Sequence, residues 1–417
     1  MNVGILTIGN ELISGKTPDT NSSFIAREIN RQGWEVAMMM SVGDDTREIG
    51  KALAHVLAAA DAVIVTGGLG PTVDDITTEA VAAAFGLGLT MDEQALGHIR
   101  ERFATRHRRW TENNAKQAQF PDGAEPIENT VGTAWGFLLK RNGKIVAVMP
   151  GVPAEARQML TGGLIPRLRR EFPAAARHVA GRLMKLSGIT ESAVDDTLAD
   201  VDFAGMCVGI GFYPRFPEIE IALTARDADG ERAEERIRAA EAEVKGRLGR
   251  YIFAVGGDTL EAVVAALLTE KRLTLAVAES CTGGLITDRL TDVPGSSAFL
   301  DRAVVTYSNA SKTELLNVPQ EVIAKFGAVS RETASLMAEG VRRLGHTDLG
   351  LAVTGIAGPA GGTDLKPVGT VFIALADGRE TRCRDHFLRW DRRRVKVSAS
   401  QQALLLLKDY LCGAGHD

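Results

Sequence analysis

The run Ala278-Glu279-Ser280-Cys281-Thr282-Gly283-Gly284 sets two hydroxyls and a thiol between an apolar segment and a pair of glycines. Leu273 to Val277 before it is short and β-prone, and Leu285 to Leu290 after it has amphipathic helical spacing. A side-chain oxygen in such a strand-to-helix turn faces free backbone N–H groups at the positive end of the helix dipole. The position suits a nucleophile or a phosphate oxygen, and it equally suits an N-cap role for Ser280 or Thr282. Two more strand ends follow: Val304 to Asn309 carries Tyr307, with Lys312 at the next turn, and Leu349 to Pro359 carries Thr354 into a glycine turn. In an open sheet such ends converge on one cleft. A nucleophilic serine needs a base, and neither a G-x-S-x-G elbow nor a Ser-His-Asp pattern is present. His386 falls in a strand. Lys312 can serve if desolvation or a neighbouring charge makes it neutral, as in Ser-Lys pairs. The competing expectation is an ordinary exposed turn lysine.

A second cluster lies near the start of the chain. Thr66-Gly67-Gly68-Leu69-Gly70-Pro71-Thr72-Val73-Asp74-Asp75 follows an apolar strand. Glycines let backbone approach a phosphate, and the carboxylates beyond them can hold a hard cation such as Mg²⁺ or Mn²⁺. Asp74 and Asp75 could instead cap a helix from Ile76 to Phe85. Arg100, Arg102, Arg106, Arg108 and Arg109 form a basic run. A solvated helix face balanced by Glu101 and Glu112 is expected over a nucleic-acid patch, with a phosphate-facing role as a third reading.

The elements that must hold these residues are legible from pattern. Val3 to Ile8, Val36 to Val42 and Asp61 to Thr66 read as strands. They alternate with helices opening at Asp19 to Ser22 and at Thr46, which predicts a doubly wound α/β sheet over residues 1–170. Residues 171–257 predict a small α+β module, with strands at Leu183 to Ser187, Val208 to Tyr213 and Glu218 to Ala225. Its helices are predicted at Thr190 to Leu198 and Ala233 to Leu248. Residues 258–417 return to α/β, from a helix at Thr259 to a closing helix over Val395 to Leu411. The chain has 417 residues, 45% hydrophobic and 24% charged, with net charge −5. That composition builds real cores and argues against phosphate-backbone binding by bulk charge. Cys207, Cys281, Cys383 and Cys412 form no CxxC pair, so neither a disulfide framework nor a zinc site is expected. With no signal-peptide pattern and no apolar run approaching about 20 residues, a cytoplasmic protein without a membrane span is expected.

TGGLGPTVDD, with GNELISG and DTN before it, resembles the molybdopterin-binding fold. Asn129 to Ala134 and Met149 to Pro153 resemble its variant at the front of the CinA (competence/damage-inducible protein A) family. The resemblance implies an ADP-ribose pyrophosphatase needing a divalent metal (Mg²⁺, Mn²⁺ or Co²⁺). In it Gly67, Gly68 and Gly70 would cradle phosphate, and Asp75, with Glu11, Asp19 and Asn21, would organise metal and water. Asn10 stands where that family usually has Asp, and Trp135 where it usually has Pro.

The middle segment is similar to the family's KH-like domain. No GxxG loop lies between its helices, so it is expected to be a spacer and dimerisation element of a homodimer rather than an RNA binder. AESCTGG, VTYSN followed by Lys, TGIAGP, PVGTVF and Asp391-Arg392 resemble the CinA C-terminal domain, a nicotinamide mononucleotide deamidase. The resemblance implies that Ser280 attacks the carboxamide, Lys312 takes its proton and Tyr307 positions substrate or dyad, with no cofactor. Thr282, Gly283, Gly284, Thr354, Gly355 and Gly358 would bind substrate, with N–H groups of the 355–358 turn serving the oxyanion. Arg392 would meet the substrate phosphate, with Lys396 a weaker candidate where the family tends to have Arg. Trp390 replaces the family's glycine before Asp391. The function expected is a bifunctional salvage enzyme acting on nicotinamide mononucleotide and ADP-ribose. The alternatives are an N-terminal pterin- or nucleotide-binding module without turnover, or an interaction factor in DNA uptake.

Overall fold

A computed structural model describes residues 1–106, 109–173 and 177–413, and all counts refer to those residues. Arg108 lies outside them. The chain divides into two compact units, Met1–Ala180 with Ala225–Arg236, and Gly181–Thr224 with Ile237–Asp417.

The first sheet contains β1 (Asn2–Ile8), β2 (Glu35–Val42), β3 (Ala62–Thr66), β4 (Glu125–Ile127), β5 (Gly136–Arg141) and β6 (Lys144–Met149) in the order β2-β1-β3-β6-β5-β4. Pairings from β2 through β6 are parallel, and β5 and β4 add antiparallel edges. Both faces are covered. Val3 and Ile5 of β1 join a core with Ile25 and Ile29 of helix α2 (Thr20–Arg31). Leu6 and Ile8 join another with Ile49, Leu53 and Val56 of α3 (Thr46–Ala59). Alternate residues of one strand thus feed two cores, as a buried parallel strand requires. The glycine-flanked segment after β1 contains one helical turn, α1 (Asn10–Ile13).

The middle sheet has β7 (His178–Leu186), β8 (Val208–Arg215), β9 (Glu218–Asp227) and β10 (Ile252–Val255) in the order β8-β9-β7-β10. Its helices are α4 (Glu191–Leu198), capped by Thr190 as predicted, and α5 (Gly230–Leu248).

The third sheet has β11 (Leu275–Glu279), β12 (Leu300–Val305), β13 (Leu349–Gly355), β14 (Thr370–Ala376) and β15 (Thr381–Phe387) in the order β12-β11-β13-β14-β15. The first three are parallel and the last two antiparallel. Its faces differ in side-chain size. Leu275, Val277, Leu351, Val353 and Ile373 pack on α6 (Leu260–Lys271) and the closing helix α10 (Arg392–Leu411). Ala276, Ala278, Ala352 and Ala374 meet α8 (Asn309–Leu316) and α9 (Arg331–Gly345). Small side chains bring these helices close. A Cβ at Gly350 would fall 2.2 Å from the Ala338 carbonyl, and one at Gly340 2.3 Å from the Leu316 carbonyl. β11 leads through the Ser280 turn into α7 (Leu285–Thr291). No helix among the described residues is long and apolar enough to cross a membrane.

Candidate active sites

β11 ends at Glu279, and the Ser280 N–H donates to the Val353 carbonyl of β13 at 3.0 Å. Gly283 and Gly284 follow at φ 62° and 96°, left-handed values that a side chain would strain. Neither Ser280 nor Thr282 caps α7. Gly284 occupies the cap position without a side-chain bond, and the buried Glu279 carboxylate takes over the task. It accepts from the N–H groups of Gly284 (2.9 Å), Ile286 (3.2 Å) and Thr287 (2.9 Å), and from the Thr287 hydroxyl (2.7 Å). An anion satisfies the positive helix end more strongly than a hydroxyl, which leaves Ser280 free to face α8.

Lys312 is not an exposed turn lysine. It lies inside α8 at 1% exposure, on the same face as Leu316 one turn on. Its Nζ is 3.2 Å from Ser280 Oγ, 2.7 Å from the Thr306 carbonyl and 3.5 Å from the Tyr307 carbonyl. Burial lowers the ammonium's pKa below the ordinary lysine value, against a smaller opposing pull from Cys281. Desolvation disfavours the charged form, so this ammonium gives up its proton more readily than an exposed lysine does. The Nζ donates to Ser280 Oγ and to the two carbonyls, so the hydroxyl lies within proton-transfer distance of the nitrogen. Cys281 is no rival nucleophile, because burial pushes its thiol up to about 12. His386 lies on β15, three strands from β11 and so roughly 14 Å away by strand spacing.

The predicted substrate residues divide. The hydroxyls of Thr282 and of Thr306 are fully buried with no hydrogen-bond partner among the described residues, the condition of groups awaiting a ligand or water. Thr354 is turned away, its hydroxyl donating to the Ala328 carbonyl at 2.8 Å. Gly355 is a packing glycine, since a Cβ there would sit 2.8 Å from Val371 Cγ2. In the turn expected to bind an oxyanion, the Ile356 N–H is engaged with the Thr370 carbonyl at 2.8 Å. Tyr307 is exposed, and its hydroxyl accepts from Arg392 Nη2 at 2.9 Å. Arg392 Nη1 donates to the Gly358 carbonyl at 2.7 Å. Lys396, one turn along α10, reaches within 3.5 Å of the Cβ position of Gly283. Arg392 and Lys396 thus bring two cations to the rim of the Ser280 turn.

In the first unit a pocket of about 350 Å³ is lined by Glu11, Asp44, Gly67, Gly68, Gly70, Asp74, Asp75 and Glu155, among others. Gly67 has φ 114°, and a Cβ there would fall 2.1 Å from the Ile8 carbonyl. Asp74 and Asp75 do not cap the following helix, which begins after Ile76 without a side-chain cap. Asp75 instead accepts from the Thr72 N–H at 2.8 Å and closes the loop. Two residues expected at the metal make other bonds, Asp19 in a helix cap and Asn21 to Gly151 in the pocket wall. Asp19 caps α2, accepting from Ser22 N–H at 2.9 Å and Thr7 Oγ1 at 3.1 Å, and Asn21 Nδ2 donates to the Gly151 carbonyl at 2.8 Å. Asp44 is at the pocket instead. Burial raises its carboxyl pKa, opposed by the Asn10 N–H and reinforced by Glu11, Asp74 and Asp75. Among the described residues no three acidic, His or Cys side chains form a closed cage. A magnesium-like ion takes only one or two carboxylates when a phosphate supplies other oxygens, so one or two of the lining carboxylates Asp75, Asp44 and Glu11 suffice for one in chemistry and charge. The arginine run is not a solvated face throughout: Arg102 and Arg106 donate to the Val131 carbonyl at 2.9 and 3.3 Å.

Three family models cover most of the chain: a probable molybdopterin binding domain over 4–170, a damage-inducible protein CinA KH domain over 181–254 and the CinA C-terminal domain over 257–411. A CinA-like protein of Syntrophus aciditrophicus (strain SB) is 62% identical over 412 residues, 99% of this chain and 98% of its own length. The chain belongs to the CinA family. A putative competence-damage inducible protein of Desulforudis audaxviator (strain MP104C) is 40% identical over 99% of each chain. A solved CinA of unknown function from Thermoplasma acidophilum is 39% identical, covering 39% of this chain and 94% of that one at TM-score 0.37. Fold class and family thus agree with the sequence reading. Glu279, Thr306, Asp44 and Glu155 were not singled out from sequence. An acidic residue ending an apolar strand before a Gly-Gly helix start was the available signal for Glu279; nothing local distinguishes the other three.

Proposed function

We propose that the C-terminal domain of this CinA protein hydrolyses the carboxamide of nicotinamide mononucleotide, giving nicotinic acid mononucleotide and ammonia. The observation that carries this reading is the buried Lys312 amine 3.2 Å from Ser280 Oγ, with two carbonyls taking its hydrogens. Ser280 Oγ attacks the carboxamide carbon while its proton passes to Lys312 Nζ. The tetrahedral intermediate collapses, the C–N bond breaks, and Lys312 returns the proton to the departing nitrogen as ammonia. Water then attacks the acyl-serine, with Lys312 again the base, and releases the acid. Arg392 and Lys396 are suited to the substrate phosphate. The step uses only side chains and water. Ammonia release by the full chain in EDTA, with its loss in Ser280→Ala of intact fold, tests the reading. Release that persists in Ser280→Ala removes the mechanism.

The N-terminal domain, on this proposal, hydrolyses ADP-ribose to AMP and ribose 5-phosphate with a divalent metal. The glycine loop would accept the diphosphate, and one or two of the lining carboxylates Asp75, Asp44 and Glu11 would hold the ion. When bound, such an ion polarises a phosphoryl oxygen and activates water. The engagement of Asp19 in the α2 cap and of Asn21 with the Gly151 carbonyl favours a second reading, a nucleotide or pterin site without turnover. AMP formation from ADP-ribose in Mg²⁺, Mn²⁺ or Co²⁺ decides between them: metal-dependent product supports hydrolysis, and binding without product supports the second reading.

A further inference from the structure

The hairpin of the middle segment meets the start of the closing helix beside the Ser280 site. β8 and β9 are joined through Phe216, whose ring lies 5.3 Å from that of Trp390 at an interplanar angle of 77°. The Arg394 guanidinium stands over both rings, 5.2 Å from Phe216 and 5.6 Å from Trp390. The rings remain 42% and 47% exposed, so this is a rim contact rather than core. Just past the turn, Glu218 Oε1 accepts from Gln401 Nε2 at 3.0 Å, and Gln401 Oε1 accepts from Arg289 Nη2 at 2.8 Å. The hairpin therefore holds α10 at its first turn and again further along.

That first turn carries the basic rim. Asp391 caps it by accepting from the Arg394 N–H at 3.0 Å, Arg392 reaches Tyr307 and Gly358, and Lys396 reaches the Ser280 turn. Helix ends fray unless tied. The cap, the Arg392 bonds and the buried Val395 tie this turn from the domain side, and the Phe216 stack is its tie from the hairpin. We infer that Phe216 is a positioning residue for the C-terminal site: through Trp390 and Arg394 it holds the start of α10 so that Arg392 and Lys396 meet the anionic end of the substrate. The inference rests on the amide-hydrolysis reading above. Phe216 itself touches no substrate in this account.

The test compares the full chain with Phe216→Ala, Phe216→Leu and Phe216→Tyr. Both ringless variants should raise KM for nicotinamide mononucleotide about tenfold, the size expected for losing one ring pair and its cation contact, with kcat within about twofold. Phe216→Tyr should restore the parent value. Nicotinamide riboside, which lacks the phosphate, should show no difference between parent and variants. A second arm measures nicotinamide mononucleotide binding by calorimetry in the Ser280→Ala background, where Phe216→Leu should weaken affinity about tenfold. Unchanged KM and affinity, or an equal loss on the riboside, would overturn the inference and leave the hydrolysis reading standing. Binding weakened by Phe216→Leu in a chain that releases no ammonia would remove the hydrolysis reading and keep the positioning role. No binding by Ser280→Ala and no release by the parent would remove both.

Discussion

The two candidate sites occupy equivalent places in related architectures, the carboxyl ends of parallel strands, yet they are built to opposite plans. Around Ser280 the reactive groups are assembled before any ligand arrives. Alanines and glycines let α8 and α9 close on the sheet, Lys312 is desolvated, and Glu279 relieves the hydroxyls of capping. Around Gly67 the pocket is open, and burial, reinforced by Glu11, Asp74 and Asp75, raises the carboxyl pKa of Asp44. In the first plan, on the reading proposed, burial makes a base of a lysine. The second makes a field that only a cation, with the oxygens of a ligand, would neutralise. Preorganisation costs stability at the first site, and at the second it is deferred until binding.

The largest expected contrast is between variants at the two sites. Lys312→Met should lower ammonia release about 10³- to 10⁴-fold, the scale for removing one member of a hydroxyl-base unit, and leave AMP formation unchanged. Equal losses in both assays would mean that the substitution unfolds the chain and that the sites are not separate. Glu279→Ala comes next. It strips the acceptor from four donors at the start of α7 and should cost about 3 kcal/mol in denaturant unfolding. A change below about 1 kcal/mol would show that water replaces the carboxylate and would blur the distinction between a dry and a wet site.

Asp75→Asn should lower metal-dependent AMP formation about 10- to 100-fold and spare ammonia release; insensitivity to this change would remove the carboxylate field from the account. The pH response sharpens the other side. Because burial depresses Lys312 below 10.5, kcat/KM for the amide should rise with pH up to the lowered pKa and then level. Stability should move with it. Between the lowered folded pKa and the ordinary value the unfolded chain binds more protons, so the parent should gain stability relative to Lys312→Met as pH rises through that window. A flat difference would show a lysine of ordinary pKa. The smallest effect is expected at Asp19→Ala, about 1 kcal/mol through loss of a helix cap, with metal affinity unchanged. Weakened metal binding there would return Asp19 to the pocket.

Much of this was legible in the linear chain. The alternation of apolar strands and capped helices specified the α/β plan, and the Ser280, Lys312, Gly67 to Gly70 and Asp75 clusters followed from residue types near strand ends. The residues whose role the sequence left open share one cause. Ser280, Thr282, Asp74 and Asp75 each have a hydroxyl or carboxylate near a helix start, and local preference assigns all four the same task. Which oxygen takes the cap depends on side-chain direction in three dimensions: Glu279 reaches forward over the turn, whereas Asp75 folds back on Thr72.

The sequence by itself determined the strands, the glycine turns with left-handed backbone, and the reactive side chains available at their ends, because backbone sterics and hydrophobic period are local properties. Only the tertiary structure decided that Lys312 is dry, that Thr354 looks away from the cleft, that Asp44 joins the pocket while Asp19 does not, and that Phe216 meets Trp390. Those outcomes depend on which surfaces exclude water and which distant chain segments come within a few ångströms. Desolvation and contact are properties of the packed chain that no stretch of sequence carries alone.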